Sequence, residues 1–237
     1  MIIFLLACIV SFVPSIALFR WLRDRQGKGD AYKKLCNQTL LKGAKSILLI
    51  ILLSGCSYVI LRLTGIQNKN PLVYQALYDF IVLALVEEVV KYLAFRSMVK
   101  KTDYANSWQD AAILMTIVGL GFGMLESVIY AFGASPAVVL IRGICISHAG
   151  FGFLTGYLYG KHRKNGISSQ MWMCFLPSWV LHGLYDFGLS EEFLALNDNL
   201  AIVALLLAVL EIVLVLLLVR FVRKTGKQAV YTEPLQD

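Results

Sequence analysis

Several ionisable side chains stand inside long apolar stretches of this sequence, where water is scarce. They are Glu87, Glu88, Lys91, Glu126, Arg142, His148, His182, Asp186 and Glu211. A charged side chain near the middle of a membrane raises the free energy of insertion by about 2.5–3.5 kcal/mol. Each one therefore needs a charge partner, a water-filled cavity or a functional role. Glutamate with two histidines is a set that activates a water molecule, either on a bound metal or by direct general-base catalysis. The set therefore indicates hydrolytic chemistry in an apolar setting.

The spacing of these residues predicts local partners. Glu87 and Lys91 are four residues apart and share a helix face, so the lysine can pair with that carboxylate while Glu88, about 100° round the helix, points elsewhere. His182 and Asp186 have the same spacing, and a carboxylate there can fix the tautomer of an imidazole and raise its basicity. Lys91 and Arg142 are interpreted as charge partners of carboxylates.

The elements that must position these residues are membrane-spanning helices. Of the 237 residues, 58% are hydrophobic and 16% charged, and the mean hydropathy is +0.70, too apolar for an ordinary soluble domain. Apolar runs long enough to cross a bilayer as helix lie near residues 2–19, 44–63, 72–99, 111–131, 137–159, 171–189 and 200–222. The predicted fold is an all-α membrane protein, a single domain over residues 1–237 with about seven transmembrane helices.

The distribution of the positive charges is typical of a membrane protein rather than of a nucleic-acid-binding protein. The net charge is +7, but the basic residues concentrate in a polar connection at 20–43 and after the third, fifth and seventh runs, including the polar tail 223–237. By the positive-inside rule, the N-terminus is outside and the C-terminus cytoplasmic. The 5 cysteines form no C-x-x-C pair, which argues against a disulfide framework or a zinc ribbon.

Depth in the membrane tests whether the ionisable residues can act together. Counted at 1.5 Å per residue from the cytoplasmic end of each span, Glu87, Glu88, Glu126, His148 and His182 lie roughly 17–22 Å in. The spread of these depths is no larger than the uncertainty of the span boundaries, so the residues lie at one level in the membrane. We therefore expect four helices to direct these groups into one cluster.

Glycines predict which spans lie at the centre. They recur four residues apart as Gly119 and Gly123 in the fourth run, and as Gly152, Gly156 and Gly160 in the fifth. Small residues at this spacing make a smooth helix face that lets a neighbouring backbone approach closely in lipid. The fourth and fifth spans are therefore predicted to lie in the centre of the bundle.

Four motifs in order resemble a known family. E87-E-V-V-K91, G121-F-G-M-L-E126, R142-G-I-C-I-S-H148 and H182-G-L-Y-D-F187 resemble the PrsW family of bacterial intramembrane proteases, which is similar in turn to the CAAX-processing and bacteriocin-processing membrane proteases. The resemblance covers a catalytic core of about residues 72–189. It implies peptide-bond hydrolysis in a membrane-anchored protein or peptide, such as an anti-sigma factor, in the bacterial cytoplasmic membrane.

The resemblance and the residues together predict a site. Its catalytic members are Glu87, Glu88, Glu126, His148 and His182; its supporting members are Lys91, Asp186 and Arg142; and the candidate ligands of a divalent metal such as zinc are Glu126, His148 and His182. One of the paired glutamates is the general base on water, and the histidines bind the metal or stabilise the oxyanion without one. Two other functions use the same residues: a proton- or cation-coupled transporter with a Glu/His/Asp relay, and an electron-transfer protein whose two histidines hold a haem.

Overall fold

Every regular element of the structure is a helix. The structure, a computed structural model, describes residues 2–25, 28–100, 108–132, 146–164, 173–197 and 199–225, and within these ranges no strand occurs. The helices are α1 (Ile2–Arg25), α2 (Asp30–Leu63), α3 (Ile66–Lys69), α4 (Pro71–Leu77), a π-helical segment (Tyr78–Leu85), α5 (Val86–Val99), α6 (Trp108–Ala131), α7 (Ser147–Lys164), α8 (Leu176–Gly188), α9 (Glu191–Leu194) and α10 (Leu200–Thr225). The all-helical class predicted from the sequence is confirmed.

Three of these helices are long and apolar enough to cross a membrane: Asp30–Leu63, Trp108–Tyr130 and Leu200–Lys224. The exposed side chains of the third are leucines and other apolar groups, for example Leu205 at 64% and Leu206 at 62% exposure. Such a surface suits lipid rather than water. The other predicted spans also contain helix, but α8 has only 13 residues, fewer than the roughly 20 needed to cross a bilayer. The count of seven spans and the orientation of the termini stay predictions.

The prediction that residues 20–43 form a polar loop is wrong. α1 continues to Arg25, and α2 begins at Asp30, well before the apolar run. Charged residues do not stop a helix when an apolar stripe continues at helical spacing, and Tyr32, Leu35, Cys36 and Thr39 are all buried there. Among the described residues of this stretch, the non-helical ones are Lys28 and Gly29, the N-cap of α2.

The start of α2 is fixed on the start of α6 by a buried ion pair. The Lys28 ammonium lies 2.5 Å from the Asp110 carboxylate, and the side chains are 6% and 1% exposed. The Tyr32 hydroxyl donates to the same carboxylate oxygen at 3.2 Å, and the ammonium lies 4.5 Å from the centre of the Tyr32 ring. This cluster sets the position of α6 relative to α2.

Helix α6 occupies the centre of the bundle, with residues 110–122 all buried. It packs against α7 most extensively and against α2 next. The close approach to α7 requires glycine: a Cβ on Gly152 would lie 2.6 Å from the Met115 carbonyl oxygen, and one on Gly156 would lie 2.5 Å from that of Ala111. The predicted central position of the fourth and fifth spans agrees with the burial of α6 and α7, and the structure adds that these two helices pack against each other.

The helix before the site is continuous but irregular. Asn70 caps it by accepting a hydrogen bond from the Val73 N–H at 3.1 Å, and Pro71 occupies the first turn, where no N–H is needed. The backbone stays right-handed from α4 through the π-helical segment into α5, with Leu77 and Leu85 both in the αR region. The third predicted span, 72–99, therefore corresponds to one helix with a wide central segment.

Candidate active site

Two adjacent glutamates lie in the first turn of α5. Glu87 is 6% exposed and Glu88 fully buried, and Lys91, one turn later, is 1% exposed. The Lys91 Nζ lies 2.6 Å from Glu88 Oε1 and 3.7 Å from Glu87 Oε2. The predicted pairing of Lys91 with Glu87 is present, but the prediction that Glu88 points elsewhere is wrong, because Glu88 makes the shorter contact. Residues three apart on a helix are neighbours as well as residues four apart, and the closer pair here is the i, i+3 pair.

Helix α8 brings His182 to these glutamates. Its Nδ1 lies 3.0 Å from Glu88 Oε1, and its Nε2 lies 3.3 Å from Asp186 Oδ2 and 3.8 Å from Glu87 Oε2. The predicted contact between His182 and Asp186 is present. The carboxylate on the opposite nitrogen, however, belongs to Glu88 and comes from another helix. Three carboxylates thus surround one buried imidazole.

Helix α7 supplies the second histidine in its first turn. His148 Nδ1 lies 3.0 Å from Lys91 Nζ, and His148 Nε2 lies 2.5 Å from Glu126 Oε2 on α6. An ammonium can only donate hydrogen bonds, so Nδ1 must accept, and the ring proton sits on Nε2 and is donated to Glu126. Just before the helix, Ile146 has φ 47°, a left-handed conformation that is rare for a β-branched residue. The backbone is therefore strained where it enters the site.

Aromatic rings enclose the polar cluster. The Lys91 ammonium lies 4.6 Å from the centre of the Phe122 ring, and Phe151 stacks on His182 with ring centres 4.9 Å apart. The sequence analysis missed both rings. The available signal was their spacing, because Phe122 precedes Glu126 by four residues and Phe151 follows His148 by three, which places each on the helix face of the polar residue.

The structure thus joins all five predicted catalytic residues, with Lys91 and Asp186, in one buried cluster. Arg142, the remaining supporting residue, lies outside the described residues.

Three members of the cluster could hold a metal ion. Glu87, His148 and His182 each offer one ligand atom, and these atoms lie within 4.8 Å of one another. The group contains Glu87 in place of the predicted Glu126, whose carboxylate instead holds the Nε2 of His148. Two imidazoles and one carboxylate suit zinc, and a carboxylate on the other nitrogen of each imidazole is the usual support for a ligating histidine. Glu87 Oε2 is buried without a hydrogen-bond partner. The residues therefore fit a metal in chemical type, with the Lys91 ammonium displaced from His148 Nδ1, the nitrogen that would bind the ion.

A small cavity borders the cluster on the side of α1. Its volume is about 10 Å³, close to the least space that one water molecule requires. Its lining includes Glu126 and His148 together with the hydroxyl-bearing Ser15, Ser127 and Ser147. This lining offers a water molecule several hydrogen-bond partners next to the cluster.

Comparison with known proteins agrees with these observations. Residues 33–219 match the model of a family described as PrsW family intramembrane metalloprotease. The chain is similar to Protease PrsW of Clostridioides difficile (strain 630), at 28% identity over 78% of this chain and 79% of the relative. It is also similar to Protease PrsW of Geobacillus kaustophilus (strain HTA426), at 30% identity over 45% of this chain and 49% of the relative, and of Bacillus subtilis (strain 168), at 27% identity over 47% and 54%. No solved structure matches significantly.

Proposed function

We propose, from the premise that this chain belongs to the PrsW family and is an intramembrane protease, that Glu87 is the base that activates water for peptide-bond hydrolysis. The observation that carries this assignment is the unequal bonding of the two glutamates. Glu88 Oε1 is held by both Lys91 and His182. Glu87 Oε2 has no hydrogen-bond partner and lies 3.7 Å from Lys91 and 3.8 Å from His182. Among the described contacts, both carboxylates keep an Oε2 without a hydrogen-bond partner, but Glu88 is also held at short distance through Oε1. That makes Glu88 the better anchor and leaves Glu87 the better base.

Glu88 then acts as that anchor. Its Oε1 joins Lys91 on its own helix to His182 on α8. This contact fixes the ring orientation of His182 and places the positive charge of Lys91 between the two glutamates. Both contacts hold in place the groups that surround Glu87. Glu88 and Lys91 therefore support the chemistry of Glu87.

A metal, when present, is held by His148, His182 and Glu87. A divalent ion such as zinc supplies a Lewis acid that polarises the substrate carbonyl and makes water more acidic. Glu126 orients His148 through its Nε2–H, and Glu88 orients His182 through its Nδ1. A carboxylate has two oxygens, so Glu87 can ligate through one and accept a proton on the other. Without a metal, the same residues form a direct acid–base set.

Glu126 is proposed to carry protons between the site and water. It contacts His148, which in turn contacts Lys91 beside the glutamates. Glu126 also borders the cavity that has room for about one water molecule. This chain of contacts gives the proton of the attacking water a route away from Glu87.

The substrate is a membrane-associated protein, as the protease family implies. Within that class, we propose a membrane-anchored protein of the anti-sigma-factor type, on the resemblance of the four motifs alone. The proposed setting is the bacterial cytoplasmic membrane, with seven spans, the N-terminus outside and the C-terminus cytoplasmic. The basic residues after alternate spans support this orientation.

The first experiment measures cleavage and metal together. Purified protein is reconstituted with membrane proteins of the host, and new N-termini are identified by mass spectrometry for the wild type and for Glu87→Gln. Loss of a general base lowers the rate by about 10²- to 10⁴-fold, so cleavage is expected to vanish in the variant. Glu192→Gln, at an exposed carboxylate outside the site, is the matched control and is expected to cleave normally. Full cleavage by Glu87→Gln would refute the assignment.

Metal content of the same protein, purified without a chelating resin, separates the two forms of the mechanism. One zinc per chain that is lost in a His148→Ala, His182→Ala double variant supports the metal form. An active preparation without metal supports the direct acid–base form.

A further inference from the structure

The wide segment Tyr78–Leu85 is an unusual element in this protein. It is π-helical over 8 residues, whereas π-helix makes up well under 1% of residues in soluble globular proteins. Its hydrogen bonds span one more residue than those of an α-helix, so the segment contains more residues per turn. It ends at Leu85, directly before the turn that carries Glu87 and Glu88. The segment therefore determines how that turn is rotated about the helix axis.

The exposed positions on either side agree with such a rotation. Val73 before the segment and Leu93 after it are 44% and 54% exposed. In an unbroken α-helix with 3.6 residues per turn, these two positions would lie about 200° apart around the axis, on opposite faces. Both nevertheless face outward, and Glu87, Glu88 and Lys91 face inward. The larger number of residues per turn in the wide segment brings the outward faces of the two halves of the helix onto the same side.

Two neighbouring helices donate hydrogen bonds to the carbonyl groups of this segment. The Trp179 indole N–H on α8 donates to the Phe80 carbonyl oxygen at 2.6 Å. From the other side, the Ser54 hydroxyl on α2 donates to the Val82 carbonyl oxygen at 2.8 Å. Both bonds join backbone to side chains of other helices, so the surrounding bundle stabilises the wide conformation.

Helix α8 connects the segment to the site. Trp179 and His182 are three residues apart and lie on one helix face. A Cβ on the next residue, Gly183, would lie 2.5 Å from Cδ1 of Phe80, so α8 sits directly on the wide segment. The face of α8 that bonds Phe80 thus also presents His182 to Glu88.

We propose that the π-helical segment sets the rotation of Glu87 and Glu88 toward the histidines, and that Trp179 and Ser54 are positioning residues that maintain it. The proposal rests on the proposed function of this site. It predicts that loss of the indole N–H leaves the fold intact but misplaces the glutamates. A misplacement of about 1 Å can lower a rate by about a hundredfold.

The test compares Trp179→Phe with Trp108→Phe. Both variants keep an aromatic ring and lose an indole N–H, but Trp108 packs on Tyr157 and Phe221, away from the wide segment. We expect Trp179→Phe to lower kcat by about ten- to a hundredfold, with KM unchanged and only the small loss of stability that removal of one hydrogen bond between membrane helices causes, and Trp108→Phe to behave as the wild type. Ser54→Ala is expected to lower kcat less, and its control is Ser97→Ala, whose hydroxyl bonds only within its own helix. Wild-type kcat in Trp179→Phe would overturn the proposal, as would a loss that only follows the folded fraction.

A second measurement detects the rotation of α5 by cysteine labelling and does not depend on enzyme activity. Leu93→Cys in a cysteine-free background faces outward and is expected to react with a membrane-soluble maleimide, whereas Tyr92→Cys, at a buried position, is expected to be protected. In Trp179→Phe, a rotation of the helix should change the ratio of the labelling rates at positions 93 and 92 from the wild-type value. An unchanged pattern would overturn the proposal even where Glu87→Gln is inactive. Full cleavage by Glu87→Gln would instead refute the proposed function and leave the labelling result standing.

Discussion

Between α6 and α7 the two backbones meet at glycines, whereas the helix of the paired glutamates meets α8 through charged and polar side chains. At the first interface, a single Cβ on Gly156 would lie 2.5 Å from a carbonyl oxygen. At the second, Glu88 bonds His182 and Trp179 bonds the backbone of Phe80. The first interface depends on the absence of side-chain volume, and the second depends on the presence of specific polar atoms.

This difference teaches how the protein keeps a reactive cluster in place inside a membrane. Lipid provides no hydrophobic force between helices, so close packing and hydrogen bonds must hold them together. The glycine interface gives a rigid support for His148 and Glu126, whose own hydrogen bond joins the same two helices. At the polar interface each charge needs an opposite charge close by, because an unpaired charge in this setting is strongly destabilising, although the Oε2 atoms of Glu87 and Glu88 have no hydrogen-bond partner.

The largest expected effect comes from breaking the polar interface at Lys91. Lys91→Met removes the positive charge 2.6 Å from Glu88 and leaves a buried carboxylate without its ion-pair partner. Breaking a buried pair destabilises by about 3–5 kcal/mol, to be measured as the free energy of unfolding in mixed micelles. Lys42→Met, at an exposed position on α2, is the control. The double variant Lys91→Met, Glu88→Gln should recover much of the loss, and no recovery would contradict the charge argument.

A smaller effect is expected from breaking the glycine interface. Gly156→Ala places a Cβ against the backbone of α6, and overpacking of this kind destabilises by about 1–3 kcal/mol. Gly55→Ala is the matched control, since nothing lies within 4 Å of a Cβ there. Cleavage per folded molecule should stay near the wild-type rate, because Gly156 lies two turns beyond His148. Equal stability of the two variants would show that the interface is not tight.

The smallest effect concerns a hydrogen bond between α7 and α8, where the two kinds of interface meet. The Thr155 hydroxyl donates to Ser178 Oγ at 2.7 Å, and Ser178 donates to the Phe151 carbonyl oxygen at 2.9 Å. Hydrogen bonds between membrane helices contribute about 0.6 kcal/mol on average, so Thr155→Val should lower the unfolding free energy by about that amount. Thr116→Val, which removes a bond within one helix, is the control. A loss above that of Gly156→Ala would reverse the ranking.

The sequence predicted the glycine interface better than the polar one, for a physical reason. Glycines four residues apart mark a smooth face whatever the partner is, so Gly152 and Gly156 were informative alone. The partner of Lys91 could not be chosen from spacing, because Glu87 and Glu88 both lie within one turn and the contacts with His148 and His182 come from other helices. Spacing and motif order did select the residues that cluster.

Two features of the backbone left no clear sequence signal. The wide segment reads Y78-D-F-I-V-L-A-L85, which is an ordinary apolar helix by composition, and its width depends on donors from α2 and α8. The charged residues of 30–43 led to the prediction of a loop there, although the buried residues of this helix have helical spacing. In both cases, contacts between helices decide a conformation that local composition leaves open.

The distribution of the site over four helices has a consequence for the synthesis of the protein. Glu88 and His182 are separated by 94 residues, and ribosomes add about 5–20 residues per second. The glutamates therefore leave the ribosome roughly 5 to 20 seconds before the second histidine. During that interval the growing chain has no complete site and cannot cleave its neighbours at the point of membrane insertion. Activity begins only when α8 has been made and has joined the bundle.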